Sequence, residues 1–263
     1  MLTFVKLGGS LITNKEKPLT PQPDLIAQAS AEIAQAVHKN PGLQLLLGHG
    51  SGSFGHVIAS QFQTQAGGEG QLYWEGFAKV WAAARQLNQI VIENLIEAGL
   101  PAIAFPPSAG VIADNKALKS WDLDPMKHAL AHQLIPVVQG DVIFDTRLGG
   151  TIFSTEQVFH HLAKHLKPRR ILLAGLDKGV YRKNDQEQTL ITMITPSNFN
   201  DILPQLSGAQ TIDVTGGMRT KVEMMLELVK TIPDLEVQIF SGLEPGNISE
   251  ALAGGRIGTL IRS

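Results

Sequence analysis

The stretch Leu43-Gln44-Leu45-Leu46-Leu47-Gly48-His49-Gly50-Ser51-Gly52-Ser53-Phe54-Gly55-His56 largely decides which fold the chain is expected to adopt. It begins with a short apolar run, typical of a buried strand, that ends at Gly48. Glycines then recur as far as Gly55, so backbone N–H groups in this turn can approach an anion closely. We interpret the stretch as a strand followed by an anion-binding loop, with His56 as a hydrogen-bond donor at its far end. The alternative for His56 is a surface histidine near the start of a helix.

Two familiar nucleotide-binding motifs do not explain this loop. Gly50 to Gly55 fits the spacing G-x-G-x-x-G, but a dinucleotide-binding fold also requires a second strand that ends in an acidic residue about 20 residues later. Residues 63–71 are instead rich in glycine and glutamine, and no strand is predicted after them. The loop also lacks the Gly-Lys-Ser/Thr of a P-loop. A loop for a small anionic substrate is the better interpretation.

Outward from this loop, short apolar runs alternate with helical stretches. Strands are predicted at residues 3–7, 43–47, 102–105, 135–138, 171–173, 237–240 and 259–261, and helices at residues 24–37, 75–98 and 218–230. Such alternation is typical of a mostly parallel sheet covered by helices on both faces. We therefore predict an α/β fold, a three-layer αβα sandwich with an open, mostly parallel central sheet. Ligands of such sheets bind beyond the carboxyl ends of the strands, where the glycine clusters lie.

The composition favours a globular protein and excludes several kinds of site. The chain has 263 residues, of which 43% are hydrophobic and 17% charged, so it can bury a large core. Its 22 basic and 24 acidic residues give a net charge of −2, which does not favour nucleic-acid binding. It contains no cysteine, so disulfides, thiolate metal sites and a cysteine nucleophile are excluded.

Membrane and metal partners are not expected either. No apolar run approaches the roughly 18 residues needed to span a bilayer, and the first ten residues lack the pattern of a signal peptide. We expect a cytoplasmic protein. His128/His132 and His161/His165 have the spacing of a helical metal pair, but no His-Glu-x-x-His pattern or third ligand accompanies them. We interpret them as solvated helix positions and predict no metal-binding residues.

Three further clusters suit phosphate chemistry. Lys6-Leu7-Gly8-Gly9-Ser10 brings a lysine and two glycines to the end of a strand, with a plain turn as the alternative. Gly140-Asp141-Val142 places a carboxylate where it can hold lysines by charge-assisted hydrogen bonds, with a turn aspartate as the alternative. In Asp213-Val214-Thr215-Gly216-Gly217-Met218-Arg219-Thr220-Lys221, two glycines precede a helix whose N-terminus and lysine attract phosphate. An ordinary capped helix is the alternative there.

Taken in order, these clusters resemble the amino acid kinase superfamily, and most closely its isopentenyl phosphate kinases. The matching elements run along the whole chain: Lys6-Leu7-Gly8-Gly9-Ser10, Thr13, Lys15, His49-Gly50, Ser53-Phe54-Gly55-His56, Gly76-Phe77-Ala78, Pro107-Ser108-Ala109, Gly140-Asp141-Val142, Asp213 to Met218 with Lys221, and Pro245-Gly246-Asn247. The most discriminating element is His56. Isopentenyl phosphate kinases and the related fosfomycin kinases carry a histidine there, whereas acetylglutamate, aspartate and uridylate kinases do not.

The resemblance implies ATP-dependent phosphorylation of isopentenyl phosphate to isopentenyl diphosphate in isoprenoid biosynthesis, with ATP and Mg²⁺. It also implies a homodimer of one amino acid kinase domain, residues 1–263, whose N-terminal part binds substrate and forms the dimer and whose C-terminal part binds the nucleotide. The implied catalytic residues are Lys6, Lys15, His56 and Asp141. The implied substrate contacts are Ser51, Gly52, His56 and Thr155. The implied nucleotide contacts are Lys6, Gly8, Gly9, Ser10, Gly52, Asp177, Gly217 and Lys221.

Two of these roles are specific, and two segments depart from the family pattern. The resemblance implies that Lys15 stabilises the transferring phosphoryl group and that Asp141 organises the lysines. Ser154-Thr155-Glu156 stands where many members read Ser-Gly-Asp, so Thr155 replaces a glycine that often contacts substrate through its backbone. In Gly175-Leu176-Asp177-Lys178-Gly179, the aspartate comes one position later than is often found.

The proposed chemistry agrees with these residue types. A phosphate monoester is already an anionic nucleophile near neutral pH, because its second pKa is about 6. Phosphoryl transfer to it therefore needs positive charge and positioning more than a general base. The apolar stripe Phe77, Val80, Trp81 and Ala84 is a candidate wall for the prenyl tail, with core packing as an equal alternative. Two other functions stay open: a kinase of another small phosphate or phosphonate such as fosfomycin, and a non-catalytic nucleotide-binding module.

Overall fold

A computed structural model describes residues 1–183, 188–205 and 217–263 of the chain. Its strands are β1 (Leu2–Leu7), β2 (Gln44–His49), β3 (Ala102–Ala104), β4 (Ile112–Asp114), β5 (Ala117–Ser120), β6 (Ile135–Gln139), β7 (Asp141–Asp145), β8 (Gly149–Phe153), β9 (Arg170–Gly175), β10 (Val180–Lys183), β11 (Gln188–Ile191), β12 (Met193–Ile194), β13 (Glu236–Ser241) and β14 (Thr259–Ile261). Its helices are α1 (Gly9–Ile12), α2 (Pro23–Lys39), α3 (Gly52–Phe62), α4 (Gln71–Glu97), α5 (Asp124–Ala131), α6 (Thr155–Leu166), α7 (Phe199–Ile202), α8 (Gly217–Thr231) and α9 (Asn247–Leu252). Short 3₁₀ turns lie at Thr64–Ala66, Pro107–Ala109 and Leu203–Gln205.

The main sheet has eight strands in the order β12-β14-β13-β9-β1-β2-β6-β3. Strands β13, β9, β1, β2, β6 and β3 run parallel to their neighbours, whereas β14 runs antiparallel to β13. The prediction of an open, mostly parallel sheet is therefore confirmed. Because the strands are parallel, the loops that follow β9, β1, β2 and β6 meet at one edge.

Alternating side chains of β1 enter two hydrophobic layers, one on each face of the sheet. Phe4 belongs to the layer formed with α6 and α8, whereas Val5 and Leu7 belong to the layer formed with α2, α4 and α9. All three side chains are buried. A strand that is buried on both faces reads as a continuous apolar run, which is why these strands could be predicted. The three-layer arrangement is confirmed.

A second sheet, β5-β4-β7-β8, was not predicted. Asp145, at the end of β7, holds it together by accepting hydrogen bonds from the amides of Asn115, Lys116, Arg147 and Leu148 at 2.7–3.0 Å. Burial alone would raise the pKa of Asp145, but these four hydrogen bonds lower it to about 2. These hydrogen bonds to Asp145 position the β7–β8 hairpin, and the last residues of that hairpin line the functional cleft.

The helix predicted at 75–98 begins four residues earlier, at Gln71, after Gly70 with a φ of +86°. The amide of the Gln71 side chain donates to Glu75 at 2.8 Å, which stabilises the additional turn. Within the described ranges, no helix is long and apolar enough to cross a membrane.

Candidate active site

A cleft of about 360 Å³ opens at the carboxyl ends of β9, β1, β2 and β6. Most implied site residues line it: Lys6, Gly8, Gly9, Ser10, Lys15, Ser51, Gly52, His56, Asp141, Thr155, Asp177 and Lys221. Gly217 begins α8, and its neighbour Met218 lines the cleft. Residues 213–216 of the same motif lie outside the described residues. The fold thus brings sequence-distant clusters to one place.

Two glycine loops meet backbone to backbone in this cleft. A Cβ atom on Gly9 would stand 2.5 Å from the amide nitrogen of Gly52, and one on Gly50 would stand 2.7 Å from that of Gly9. Gly52 has a φ of +48°, and a Cβ atom there would collide with the hydroxyl of Thr13. That hydroxyl donates to the Gly9 carbonyl at 2.7 Å and accepts from the Ser53 amide at 3.0 Å. Thr13 therefore joins two loops that have no room for a side chain at Gly9, Gly50 or Gly52.

A mostly buried carboxylate, whose side chain is 14% exposed, joins two of the implied lysines. Glu156 Oε1 lies 3.0 Å from Lys6 Nζ and 3.7 Å from Lys221 Nζ. Burial would raise the pKa of Glu156, but the two positive charges and the hydrogen bond from Lys6 lower it to about 2. Glu156 is thus a carboxylate at neutral pH. It holds two ammonium groups from opposite ends of the chain at one point of the cleft.

Asp141, the implied organiser of the lysines, lines the same cleft and is buried. Burial raises its pKa to about 6, against hydrogen bonds from Ser108 and from the Val142 amide. The acid that the structure pairs with Lys6 and Lys221 is Glu156. In the sequence, Glu156 is notable only as part of a segment that departs from the family pattern. The role of Asp141 stays a prediction.

Thr155 lies in the cleft, but its hydroxyl has an internal partner. Thr155 Oγ1 donates to the carbonyl oxygen of His49 at 2.6 Å. Its hydroxyl proton is therefore not available to a ligand, and the implied substrate contact would have to come from its backbone. Ser154 caps α6 with Gln157 in a reciprocal capping box, which fixes the turn that presents Thr155 and Glu156.

His56 and Lys15 reach the cleft from two different elements. His56 is half-buried in the second turn of α3, four residues after Gly52. Lys15 is exposed on the loop between α1 and α2. That loop is closed by a bridge between Thr13 and Pro21 and by a 2.9 Å hydrogen bond from the Asn14 amide to Thr20. Lys15 therefore lies on a short loop, closed by hydrogen bonds, that lines the same cleft as the two glycine loops.

One end of the cleft is apolar. It is lined by Val57, Ala59, Val80, Ala84 and Ile152. Two members of the predicted stripe therefore line it, but Phe77 and Trp81 do not. Phe77 packs in a small core with Tyr73 and Val142, and Trp81 is 39% exposed with Arg85 over its ring. The stripe is therefore divided: Val80 and Ala84 are candidates for the wall, Phe77 follows the alternative of core packing, and Trp81 lies at the exposed edge of the stripe.

The opposite end of the cleft is formed by the segment after β9 and the start of α8. Gly175, Leu176, Asp177 and Met218 line it. Asp177 is exposed, and a Cβ atom on Gly175 would meet no atom of the described residues within 4 Å. This end is more open than the part of the cleft formed by the two glycine loops.

The histidine pairs lie on helices outside this cleft. His128 is on α5 and His132 follows its last residue, whereas His161 and His165 are on α6. Within the described residues, no group of three His, Asp or Glu side chains is arranged to hold a metal ion.

Comparison with known proteins gives consistent matches along the chain. The model of the amino acid kinase family matches residues 1–241. The isopentenyl phosphate kinase of Methanocaldococcus jannaschii is 33% identical, over 99% of this chain and 98% of that protein. The isopentenyl phosphate kinase of Methanothermobacter thermautotrophicus is 31% identical, over 97% of each chain. A solved structure of isopentenyl phosphate kinase superposes with a TM-score of 0.83 at 28% identity, over 99% of this chain and 100% of that one.

Proposed function

Because the chain belongs to the amino acid kinase family, we propose that it phosphorylates isopentenyl phosphate with ATP, giving isopentenyl diphosphate and ADP for isoprenoid biosynthesis. One observation carries the proposal. A single cleft joins a lysine pair, two glycine-rich loops in close contact, a histidine and an apolar end of aliphatic side chains. An anionic phosphate with a short hydrocarbon tail matches that order of surfaces.

The chemistry follows from the charges in the cleft. An oxygen of the acceptor phosphate attacks the γ-phosphorus of ATP, and the bond from that phosphorus to the bridging oxygen of ADP breaks. The obstacle is the approach of two anions, and fixed positive charge lowers it. Lys6 and Lys221, held by Glu156, would face the phosphates of ATP, and Lys15 would neutralise the group in transit. These residue roles are proposals that the geometry supports.

Mg²⁺ is proposed as the companion of ATP. It prefers oxygen ligands and is usually held by substrate phosphates, water and few carboxylates. The carboxylate of Glu156 already binds two lysines. The donor set of the cleft therefore fits an ion held through phosphate oxygens and water, and we assign it no ligand residue. The bound ion would supply further positive charge to the moving phosphoryl group.

His56 is proposed to bind the acceptor phosphate with Ser51 and Gly52. It follows the glycine loop by one helical turn and lies between that loop and Val57 and Ala59 of the apolar end. An imidazole next to a phosphate dianion gains a proton more readily, because the anion raises its pKa. His56 would then donate to the acceptor phosphate.

The division of labour along the chain is also proposed. Residues that line the acceptor end of the cleft come before residue 157, and those that line the open end come after residue 172. This supports one domain whose N-terminal part binds the acceptor and whose C-terminal part binds the nucleotide. The family resemblance adds a homodimer, formed by the N-terminal part, and a cytoplasmic location is proposed from the sequence alone. Light scattering coupled to size-exclusion chromatography tests the dimer.

A coupled ADP-release assay with a panel of acceptors tests the function. The panel contains isopentenyl, dimethylallyl and geranyl phosphates, fosfomycin and no acceptor. We expect similar kcat/KM for the two five-carbon substrates, because they differ only in the position of a double bond, and even a whole methylene changes binding to an apolar wall by only about 1–3 kcal/mol. Geranyl phosphate should react poorly. His56→Ala should lower kcat/KM for isopentenyl phosphate by about 100-fold or more, within the range for loss of a charge-stabilising donor.

His38→Ala is the matched control, because His38 is an exposed histidine in the last turn of α2. It should keep wild-type kinetics. A preference for fosfomycin over both five-carbon substrates would replace the proposed acceptor by a phosphonate. Nucleotide binding with no ADP release on any acceptor would instead favour a non-catalytic nucleotide-binding module.

A further inference from the structure

A histidine that the proposed chemistry does not use lies directly beneath the glycine loop. His49 ends β2 and is 1% exposed, and Asn88, on α4, is 5% exposed. Leu47, on the same face of β2 as His49, and Leu87, the neighbour of Asn88, belong to the hydrophobic layer on that face of the sheet. Burying polar groups among apolar side chains is unfavourable unless they are hydrogen-bonded to each other. The pair therefore needs an explanation beyond core packing.

The hydrogen bonds determine which imidazole nitrogen carries the proton. His49 Nδ1 lies 3.1 Å from the carbonyl oxygen of Gly50, which can only accept, so Nδ1 is the donor. His49 Nε2 lies 3.0 Å from Asn88 Nδ2, which can only donate, so Nε2 is the acceptor. The geometry thus requires a neutral imidazole. Burial and the positive charge of Lys6 both lower the pKa of His49, to about 4, which keeps it neutral at physiological pH.

The backbone of His49 ties the same point to three other elements. Its carbonyl oxygen accepts from Thr155 Oγ1 at 2.6 Å and from the Gly140 amide at 3.2 Å. The next amide, that of Gly50, donates to the carbonyl of Leu7 at 3.0 Å. Through His49, the glycine loop is joined to β1, to the segment before Asp141 and to the start of α6.

Asn88 connects this point to the apolar end of the cleft. Val80, Ala84 and Asn88 are spaced four residues apart on α4, so they share one face of the helix. Val80 and Ala84 line the cleft. The side chain that contacts His49 is therefore the continuation of the wall that would hold the substrate tail.

We propose that Asn88 and His49 are a positioning pair, in which Asn88 acts through the imidazole of His49 to set the glycine loop against the α4 wall. The proposal rests on the proposed function, because it assigns the loop to the acceptor phosphate and the wall to its tail. The pair fixes the position of the glycine loop relative to the α4 wall, which are the two halves of the acceptor site. Neither residue need touch the substrate, and the effect is on the acceptor more than on ATP.

The experiment combines kinetics with imidazole nitrogen NMR on the full chain. Asn88→Ala should lower kcat/KM for isopentenyl phosphate by about tenfold, as expected when one buried hydrogen bond is lost, with KM for ATP nearly unchanged. The His49 signals, assigned by their loss in His49→Gln, should show the neutral Nδ1–H tautomer in the wild type. Asn88→Asp, nearly isosteric, should convert them to imidazolium, because a carboxylate accepts from Nε2–H.

Leu87→Ala is the matched control, because Leu87 is the buried neighbour of Asn88 and makes no side-chain hydrogen bond. It should lower the melting temperature but leave the His49 tautomer and the ratio of the two KM values intact. An Nε2–H tautomer or an imidazolium in the wild type would overturn the positioning pair without any turnover measurement. Equal changes in both KM values for folded Asn88→Ala and Asn88→Asp would also overturn it. If the wild type does not phosphorylate isopentenyl phosphate, the proposed function fails, while the NMR still decides the pair.

Discussion

The two walls of the cleft are built in different ways. The acceptor wall, formed by the loop around Gly50 and Gly52 with Thr13 and Asp141, is largely buried, and its backbone touches that of Gly9. The nucleotide wall, formed by Gly175, Leu176, Asp177 and Met218, is half-buried at three positions and exposed at Asp177. A glycine in the first wall is a steric requirement, whereas a Cβ atom on Gly175 would contact none of the described residues. The same residue type therefore has different importance on the two sides.

This difference matches what each wall would have to do. A small acceptor offers few atoms for binding, so its phosphate must be held by closely approaching, pre-positioned groups. ATP is larger and can be held at several points, so one wall of its site can be less closely packed. The comparison makes predictions that differ in size between the walls.

The largest effect is expected for Gly52→Ala. The substitution forces an alanine to a φ of +48° and places its Cβ against Thr13 and the backbone of Gly9. The left-handed conformation costs about 1–2 kcal/mol, and displacement of the loops should lower kcat/KM by about 100-fold or more. Steady-state kinetics and thermal unfolding measure the two effects.

Gly99→Ala is the control for backbone strain alone. Gly99 has a φ of +84°, follows α4 and has open space at the Cβ position. The variant should have a lower free energy of unfolding, but the protein that is still folded should keep its specific activity. Equal activity losses in Gly52→Ala and Gly99→Ala would mean that strain, not close approach in the cleft, explains the acceptor wall.

Most of the main sheet could be predicted because its parallel strands are buried on both faces. Residues 135–138, for example, form an apolar run that the structure extends by one residue to Gln139. The sheet β5-β4-β7-β8 could not be predicted in this way. Its strand β5 is mostly exposed, and Asp145 stabilises it through amides up to 30 residues away. No local pattern reports such hydrogen bonds.

The site was predictable where backbone conformation is needed and less so where side chains meet. Glycine clusters signal close backbone approach, and they do meet in the cleft. Glu156 was missed as the partner of Lys6 and Lys221, because that ion pair joins β1, α6 and α8 only in the folded chain. Trp81 was assigned to the stripe because its spacing from Phe77, Val80 and Ala84 is that of one helical face, but the folded chain leaves it at the exposed edge of that face. Only the packing of neighbouring elements decides which residues of such a face line a cavity.

An intermediate effect is expected for Asp141→Asn, and it concerns pH. Burial raises the pKa of Asp141 to about 6, well above that of the unfolded chain. As pH rises from about 4 to 6, the unfolded state loses this proton first, so the free energy of unfolding falls and then levels off. The substitution would remove this pH-dependent contribution of about 2–3 kcal/mol, and denaturant titrations of both proteins across that range measure it.

Asp145→Asn gives the opposite sign on the same strand. Its pKa is lowered, so its contribution to stability is lost as pH falls through the folded-state value. The variant should therefore be less stable at neutral pH, whereas Asp141→Asn should be more stable there. A wild-type unfolding free energy that does not fall between about pH 4 and 6 relative to Asp141→Asn would contradict the buried character of the acceptor wall.

The smallest effect is expected for Gly175→Ala on the nucleotide wall. The added Cβ meets no atom within 4 Å in the part of the chain that the structure describes, and the carbonyl of Gly175 can keep its 2.8 Å hydrogen bond from the Gly242 amide. The free energy of unfolding should change by no more than about 0.5 kcal/mol, as for substitutions that disturb no contact. The change in kcat should be less than about twofold. KM for ATP is the sensitive measurement, because the proposed nucleotide site includes this space. A lowered melting temperature would contradict the openness of this wall. A large rise in KM for ATP at unchanged stability would instead show that ATP approaches Gly175 closely, so that glycine is required on this wall only when the nucleotide is bound.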